Sequence, residues 1–177
     1  MINKQRPDRP ISSALVPVRS AVRALRLFCL KARFGRKLQM GKNVYFGCRA
    51  LMVPPEFVRF GDNVALGSDF HLETNLVVGS DVLISSRVAI IGNDHRFDDP
   101  DTSIFWAGRY PPSTVYIEGD NLIGFGVTII GNVRIGKGCI VGARAVVTTD
   151  LPPNTVCVGI PAKPIGLRFT QGVSAVR

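Results

Sequence analysis

From Phe60 the chain divides into sixes: FGDNVA, LGSDFH, LETNLV, VGSDVL, ISSRVA. A second run begins at Ile117 with IEGDNL, IGFGVT, IIGNVR, IGKGCI, VGARAV and VTTDLP, and a shorter one, MGKNVY, FGCRAL, MVPPEF, precedes both. The first position is always apolar, from Met40, Phe46 and Met52, through Phe60, Leu66, Leu72, Val78 and Ile84, to Ile117, Ile123, Ile129, Ile135, Val141 and Val147. The second is often Gly, and the fifth is mostly apolar or small, as at Val64, Phe70, Val82, Val88, Val127, Val133, Cys139 and Ala145. A period of six is neither helical nor the alternation of a hairpin strand. It fits a short strand and a tight turn, with Gly expected where the backbone needs positive φ. Three such units close a triangular coil whose first-position side chains point inward, giving an all-β parallel β-helix. The pattern predicts about five coils stacked about 4.8 Å apart. Strand edges left open at the two ends of the stack need covers.

The segment before the repeats is a natural cover. Residues 1–37 hold ten Lys/Arg against the single acid Asp8, whereas the remaining 140 residues hold 12 of each sign. In VRSAVRALRLFCLKARFGRKL the apolar residues Val18, Ala21, Val22, Leu25 and Phe28 lie at helical spacing, with Arg19, Arg23, Arg26 and Arg33 off that stripe. The spacing predicts a helix that stops near Gly35 and lays its apolar stripe on the prism. A second use of the same segment, compatible with the first, is peripheral contact with an anionic membrane surface. No aromatic or recognition pattern accompanies the charge, so nucleic acid is not an expected partner. Three segments follow: a basic N-terminal helical segment (1–37), a β-helix domain (38–168) and a C-terminal tail (169–177).

No run of 18 uncharged apolar residues is present, and the N-terminus has no secretory-signal pattern. The four cysteines (Cys29, Cys48, Cys139, Cys157) are scattered, and with only two histidines a zinc site is not expected. These features favour a reducing cytoplasm, with any membrane contact at its inner face.

The repeats stop at IGNDHRFDDPDTSIFWAGRYPPSTVYIEG (91–119), predicting an extended loop over about 92–116 that carries His95, one of the two histidines. The repeats, this loop with its His, and the ending VVTTDLPPNTVCVGIPAKPI together resemble the hexapeptide-repeat acyltransferases over about residues 40–168. That family includes galactoside, maltose, serine, xenobiotic and polysaccharide O-acetyltransferases. The resemblance implies a left-handed coil, although connections between parallel strands are usually right-handed. It also implies a homotrimer with active sites between subunits, acetyl-coenzyme A as acyl donor, and His95 as catalytic base. Cofactor positions carried over are Phe125, Ala143, Thr148, Thr149 and Lys163, with Arg168 assisting. Leu122, Thr149 and Ile160 depart from the residues common in the family, which weakens single contacts but not the cofactor class.

The chemistry agrees with the resemblance. A hydroxyl attacking a thioester must lose its proton, and His titrates near neutrality. No G-x-S-x-G elbow is present, so direct attack is the simpler course. Asn93, Asp94, Glu118, His71, Trp106, Arg109 and Tyr110 are candidates to orient His95 or hold the acceptor. Each also has a plain structural reading, as a surface charge or as loop packing. The leading acceptor is a sugar hydroxyl of a surface polysaccharide or its precursor. Alternatives are the amine of an amino-sugar nucleotide, an antibiotic hydroxyl, a non-catalytic scaffold related to the carbonic-anhydrase-like subunits, and a binding module without turnover.

Overall fold

First-position side chains from Phe46 to Val147 form the core of the computed structural model, which describes residues 15–169. Lys4, Arg6, Asp8 and Arg9 of the basic segment, and the tail from residue 170, lie outside the described residues. Helix α1 (Val16–Phe34) precedes the strands. The first coil is β1 (Leu38–Met40), β2 (Tyr45–Phe46) and β3 (Leu51–Met52). The second is β4 (Val58–Phe60), β5 (Val64–Leu66) and β6 (His71–Leu72), and the third β7 (Asn75–Val78), β8 (Val82–Ile84) and β9 (Ala89–Ile91). After the loop come β10 (Thr114–Ile117), β11 (Leu122–Ile123) and β12 (Thr128–Ile130), then β13 (Val133–Ile135), β14 (Ile140–Val141) and β15 (Val146–Val147). A partial sixth coil holds β16 (Thr155–Gly159), and β17 (Ala162–Leu167) folds back on it antiparallel.

Equivalent strands pair in parallel from coil to coil, which sorts them into three faces. Face 1 is β1, β4, β7, β10 and β13. Face 2 is β2, β5, β8, β11, β14 and β16 with β17 at its edge. Face 3 is β3, β6, β9, β12 and β15. The corners follow: first between faces 1 and 2, second between 2 and 3, third between 3 and 1. Fifth-position side chains such as Val64, Phe70, Val82 and Val127 are also wholly buried, so most units send two side chains inward. Each buried Val, Leu or Ile contributes about 1.5–3 kcal/mol. Asn121 occupies one fifth position and is buried. Its Nδ2 donates to the carbonyls of Gly136 (2.8 Å) and Cys139 (3.1 Å), and its Oδ1 accepts from the Gly119 N–H (2.8 Å).

The second-position glycines serve a different purpose from the one expected. Positive φ falls mostly on the fourth position, for example Asn63 (58°), Asp81 (62°) and Asp120 (51°). Asn and Asp tolerate that region best among L-residues. The second-position glycines instead let coils approach. A Cβ on Gly47 would lie 2.5 Å from the Gly67 carbonyl carbon, and one on Gly124 2.6 Å from the Ala143 nitrogen. Fourth-position side chains also ladder up the first corner, Asn43 Nδ2 to Asn63 Oδ1 and Asn63 Nδ2 to Asp81 Oδ1, each at 2.9 Å.

α1 is present and Gly35 ends it at φ 51°, its N–H bonding the Lys31 carbonyl. The face it turns to the prism is not the one expected. Leu27, Leu30 and Phe34 pack against the core, while Val18, Val22, Leu25 and Phe28 point outward. Arg23 and Arg26 lie on the inward side. Arg23 stacks over the Tyr45 ring at 4.7 Å, and Arg26 donates to the Phe46 carbonyl at 3.4 Å and to Cys48 Sγ at 3.1 Å. Long arginine stems cover apolar surface while their heads find acceptors, which offsets the loss of a more apolar contact.

Candidate active site at the third corner

The loop leaves the third corner after Ile91 and re-enters at Thr114, three residues earlier than the repeat alone suggests, because β10 begins before its first-position residue. The interruption costs the prism no register: β10 pairs with β7 below and β13 above. The loop foot is clamped by polar contacts. Asn93 Nδ2 donates to the Glu73 carbonyl (2.7 Å), and its Oδ1 accepts from the Ser113 N–H (3.2 Å). Ser113 Oγ donates to the Gly92 carbonyl at 2.6 Å, and Arg109 Nη1 donates to the Asn93 carbonyl.

Above the foot the loop runs as a narrow antiparallel arm. His95 and Arg109 form a backbone bridge, flanked by Arg96 N–H to the Gly108 carbonyl (3.0 Å) and Tyr110 N–H to the Asp94 carbonyl (3.1 Å). This fixes the His95 backbone while leaving the residue exposed. The Tyr110 ring meets Phe97 edge to face at 5.7 Å. Burial pushes the Asp98 carboxyl up, but its own N–H, Tyr110 and Arg96 together hold it below the usual carboxylate range. Trp106 sits at the tip, 78% exposed, with Phe105 against it at 4.7 Å. A cleft of about 430 Å³ opens at the foot between Asp94, Tyr110, Ser113 and Asn132.

His71 stands on face 3 beside Ala89 of β9, the strand that leads into the loop, with its Nε2 2.7 Å from Glu73 Oε1. Glu73, whose carbonyl also holds Asn93, escapes a reading by motif. Its one signal is the Glu of LETNLV in a position usually held by Gly. Glu118 is the other such Glu but sits at the first corner. There Arg134 Nη1 at 2.8 Å and the Lys137 N–H at 3.1 Å hold its carboxyl below the ordinary range. Within one chain it therefore stands away from His95.

The residues considered for the cofactor spread over several edges. Thr148 and Thr149 are exposed at the third corner, two coils beyond the loop. Phe125 and Ala143 lie at the second corner, where Arg87 (5.6 Å) and Arg144 (5.3 Å) flank the Phe125 ring. Lys163 is exposed on β17. Arg168 is engaged at the first corner, its Nη1 2.8 Å from Asp120 Oδ2 and 2.9 Å from the Asp120 carbonyl, so it fastens the C-terminal hairpin. Among the described residues no three His, Cys, Asp or Glu side chains gather in a metal-binding group, and no helix is long and apolar enough to cross a membrane.

Comparisons with known proteins point the same way. Residues 114–149 match the bacterial transferase hexapeptide family (six repeats). A galactoside O-acetyltransferase of Lactococcus lactis is 34% identical over 124 residues, covering 65% of this chain and 58% of that protein. Among solved structures, a maltose O-acetyltransferase from Clostridium difficile superposes with a TM-score of 0.66 at 24% identity, over 88% of this chain and 89% of that one. A hexapeptide-repeat acetyltransferase from Vibrio cholerae, solved with acetyl-coenzyme A, gives 0.63 at 22% identity, over 92% and 94%. These two likenesses establish the fold. The chain spans about half the length of the first curated relatives it matches.

Proposed function

Because the chain carries the bacterial transferase hexapeptide repeat on a parallel β-helix, we propose that it is an acetyltransferase using acetyl-coenzyme A, with a sugar hydroxyl as acceptor. The observation that carries this reading is the loop at the third corner, which holds an exposed histidine on a braced arm above an otherwise unbroken prism. The likeness to galactoside and maltose O-acetyltransferases supports the acceptor class. A surface polysaccharide or its precursor, met at the inner face of the membrane, is the acceptor that suits the loop aromatics and the basic N-terminal end.

Acetyl-coenzyme A supplies an acetyl thioester. His95 takes the proton from the acceptor hydroxyl as its oxygen bonds to the acetyl carbon, then returns it to the sulfur as the C–S bond breaks. Asn93, tied to two coils and to Arg109, holds the arm in place, so it is a positioning residue. His71 and Glu73, one coil below the strand that leads into the arm, meet a bound sugar from the prism side, and Trp106 and Tyr110 offer ring faces from the arm. Thr148, Thr149, Phe125, Ala143 and Lys163 receive the donor, Lys163 meeting a phosphate.

A homotrimer fits this distribution. Phe125 and Ala143 lie on one border of face 3 and His95 on the other, so a second prism against that face would complete a site that one chain divides. The outward side chains agree in charge: face 1 carries Gln39, Arg59, Val77, Tyr116 and Arg134, whereas face 2 carries Tyr45, Ala65, Leu83, Leu122 and Ile140, and face 3 Leu51, His71, Ala89, Thr128 and Val146.

The test follows thiol release from acetyl-coenzyme A with sugar, amino-sugar-nucleotide and antibiotic acceptors. We expect turnover on a sugar hydroxyl that falls by about 10²-fold or more in His95→Ala. Turnover confined to amines or drugs would overturn the acceptor, and failure to bind acetyl-coenzyme A would overturn the class.

A further inference from the structure

α1 buries the wrong stripe for a helix that serves only to cover the prism. Its inward side is Arg23, Arg26, Leu27, Leu30 and Phe34, and none of its residues is fully buried. Its most apolar stripe, Val18, Val22, Leu25 and Phe28, runs along the opposite side over about three turns. Leu25 is 63% exposed and Phe28 71%. Large apolar side chains aligned on one exposed helical face mark a surface that something else covers.

Charge identifies the occupant. Between Asp8 and Glu56 the sequence has no acid, while residues 15–42 carry eight basic side chains (Arg19, Arg23, Arg26, Lys31, Arg33, Arg36, Lys37 and Lys42). At 100° per residue, Arg33 falls on one border of the exposed stripe and Lys31 on the other. Beyond the helix, Lys37 Nζ reaches the Pro55 carbonyl at 2.8 Å, so the basic end includes the first coil. An apolar stripe bordered by cations, on a helix without acids, has the pattern of a helix lying in the plane of an anionic bilayer. A protein partner would need an acidic rim around an apolar groove. A second copy of this chain presents instead the same cations, which repel.

We propose that α1 seats this protein on anionic lipid surfaces through Val18, Val22, Leu25 and Phe28, with Lys31 and Arg33 against the headgroups. The prism then stands on its N-terminal end, with the loop in the third coil held clear of the bilayer. The inference concerns the surface and does not depend on the acetyl-transfer reading.

The experiment is co-sedimentation of the 177-residue chain with phosphatidylcholine vesicles, with and without phosphatidylglycerol. We expect binding only to the anionic vesicles. Leu25→Glu/Phe28→Glu should weaken it about a hundredfold, through loss of two apolar insertions. Lys31→Glu/Arg33→Glu should weaken it about tenfold or more. Both doubles change exposed side chains, and melting temperature serves as the folding control. Leu25→Glu/Phe28→Glu should match the wild type, whereas Lys31→Glu/Arg33→Glu, which reverses the last-turn charge of α1 and removes the Arg33–Phe34 stack, should melt about 2–4 °C lower. Absence of binding to anionic vesicles overturns the proposal. Undiminished binding by Leu25→Glu/Phe28→Glu also overturns it, because adsorption would then rest on charge alone. If that variant instead dissolves a vesicle-free oligomer of the wild type, the stripe belongs to a second copy and the proposal fails.

Discussion

A methyl group added at Gly61 would lie 2.7 Å from Ser80 Oγ and 2.8 Å from the Gly79 carbonyl carbon, whereas one at Gly166 would meet nothing within 4 Å. Gly61→Ala should therefore force adjacent coils apart, at about 1–3 kcal/mol. That corresponds to a melting temperature lower by roughly 2–12 °C. Gly166→Ala should leave it unchanged, and differential scanning fluorimetry of the two variants checks the contrast. The sequence displayed these glycines but not their reason, since an inter-coil clash exists only after stacking. The cysteines are distinguished in the same way. Burial pushes the Cys139 thiol up to about 12, a shift only partly opposed by Thr155, and Cys157 is buried beside it at 3.8 Å. Only a thiolate alkylates readily. Iodoacetamide with mass spectrometry should label exposed Cys29 and Cys48 in the native protein, and Cys139 and Cys157 only after unfolding. Glu73 shows the limit at this scale. Its bond to His71 joins residues two apart, but its carbonyl's bond to Asn93 crosses 20 positions, and no motif announces it.

At the scale of elements, the loop is an appendix to a prism that closes without it. Leu76 of β7 pairs with Val115 of β10 across the whole interruption, in the register that Val58 and Leu76 already hold. Arg96 and Gly108 are hydrogen-bonded neighbours, so residues 97–107 can be replaced by a two-residue turn. That deletion keeps His95 but removes Trp106. Melting should shift by less than about 2 °C, and calorimetry should still detect acetyl-coenzyme A, while acceptor turnover is lost. The strands and the loop were legible because a buried position recurring every six residues leaves little freedom. The helix was legible as a helix, yet its orientation was not. Two stripes of mixed character compete on one cylinder, and cation–π contact to Tyr45 with bonds to Phe46 and Cys48 decides for the arginine side. Such partners come from the first coil and leave no trace in helical periodicity.

Across the whole molecule, charge pairs strap one coil to the next on the outside. Arg49 Nε meets Asp69 Oδ1 at 2.6 Å, and Arg134 meets Glu118 at 2.8 Å. The arginine hydrogen bonds lower both carboxyl pKa values. A carboxyl lowered in the folded state stabilises above its unfolded pKa, and that contribution is lost as pH falls through the folded value. Melting temperature should thus be flat from neutrality to about pH 5 and decline below about pH 4. A Glu118→Gln variant should show a shallower decline in the same scan. The pairs are exposed, so the slope should be modest and should diminish further in high salt. One strap links two fourth-position residues and the other a corner Glu to a strand Arg, each between neighbouring coils, a relation the linear repeat contains but does not reveal.

The regular interval between paired strands has a further consequence, for how such a chain changes length. Val58 pairs with Leu76 and Val115 with Val133, each 18 positions on. Eighteen residues make one closed circuit, so duplicating residues 60–77 would restore every inward side chain and raise all later coils by about 4.8 Å. A single inserted residue in a strand would turn its inward side chains out. Length in this architecture is therefore quantised, and the distance between the basic end and the loop can be reset one storey at a time.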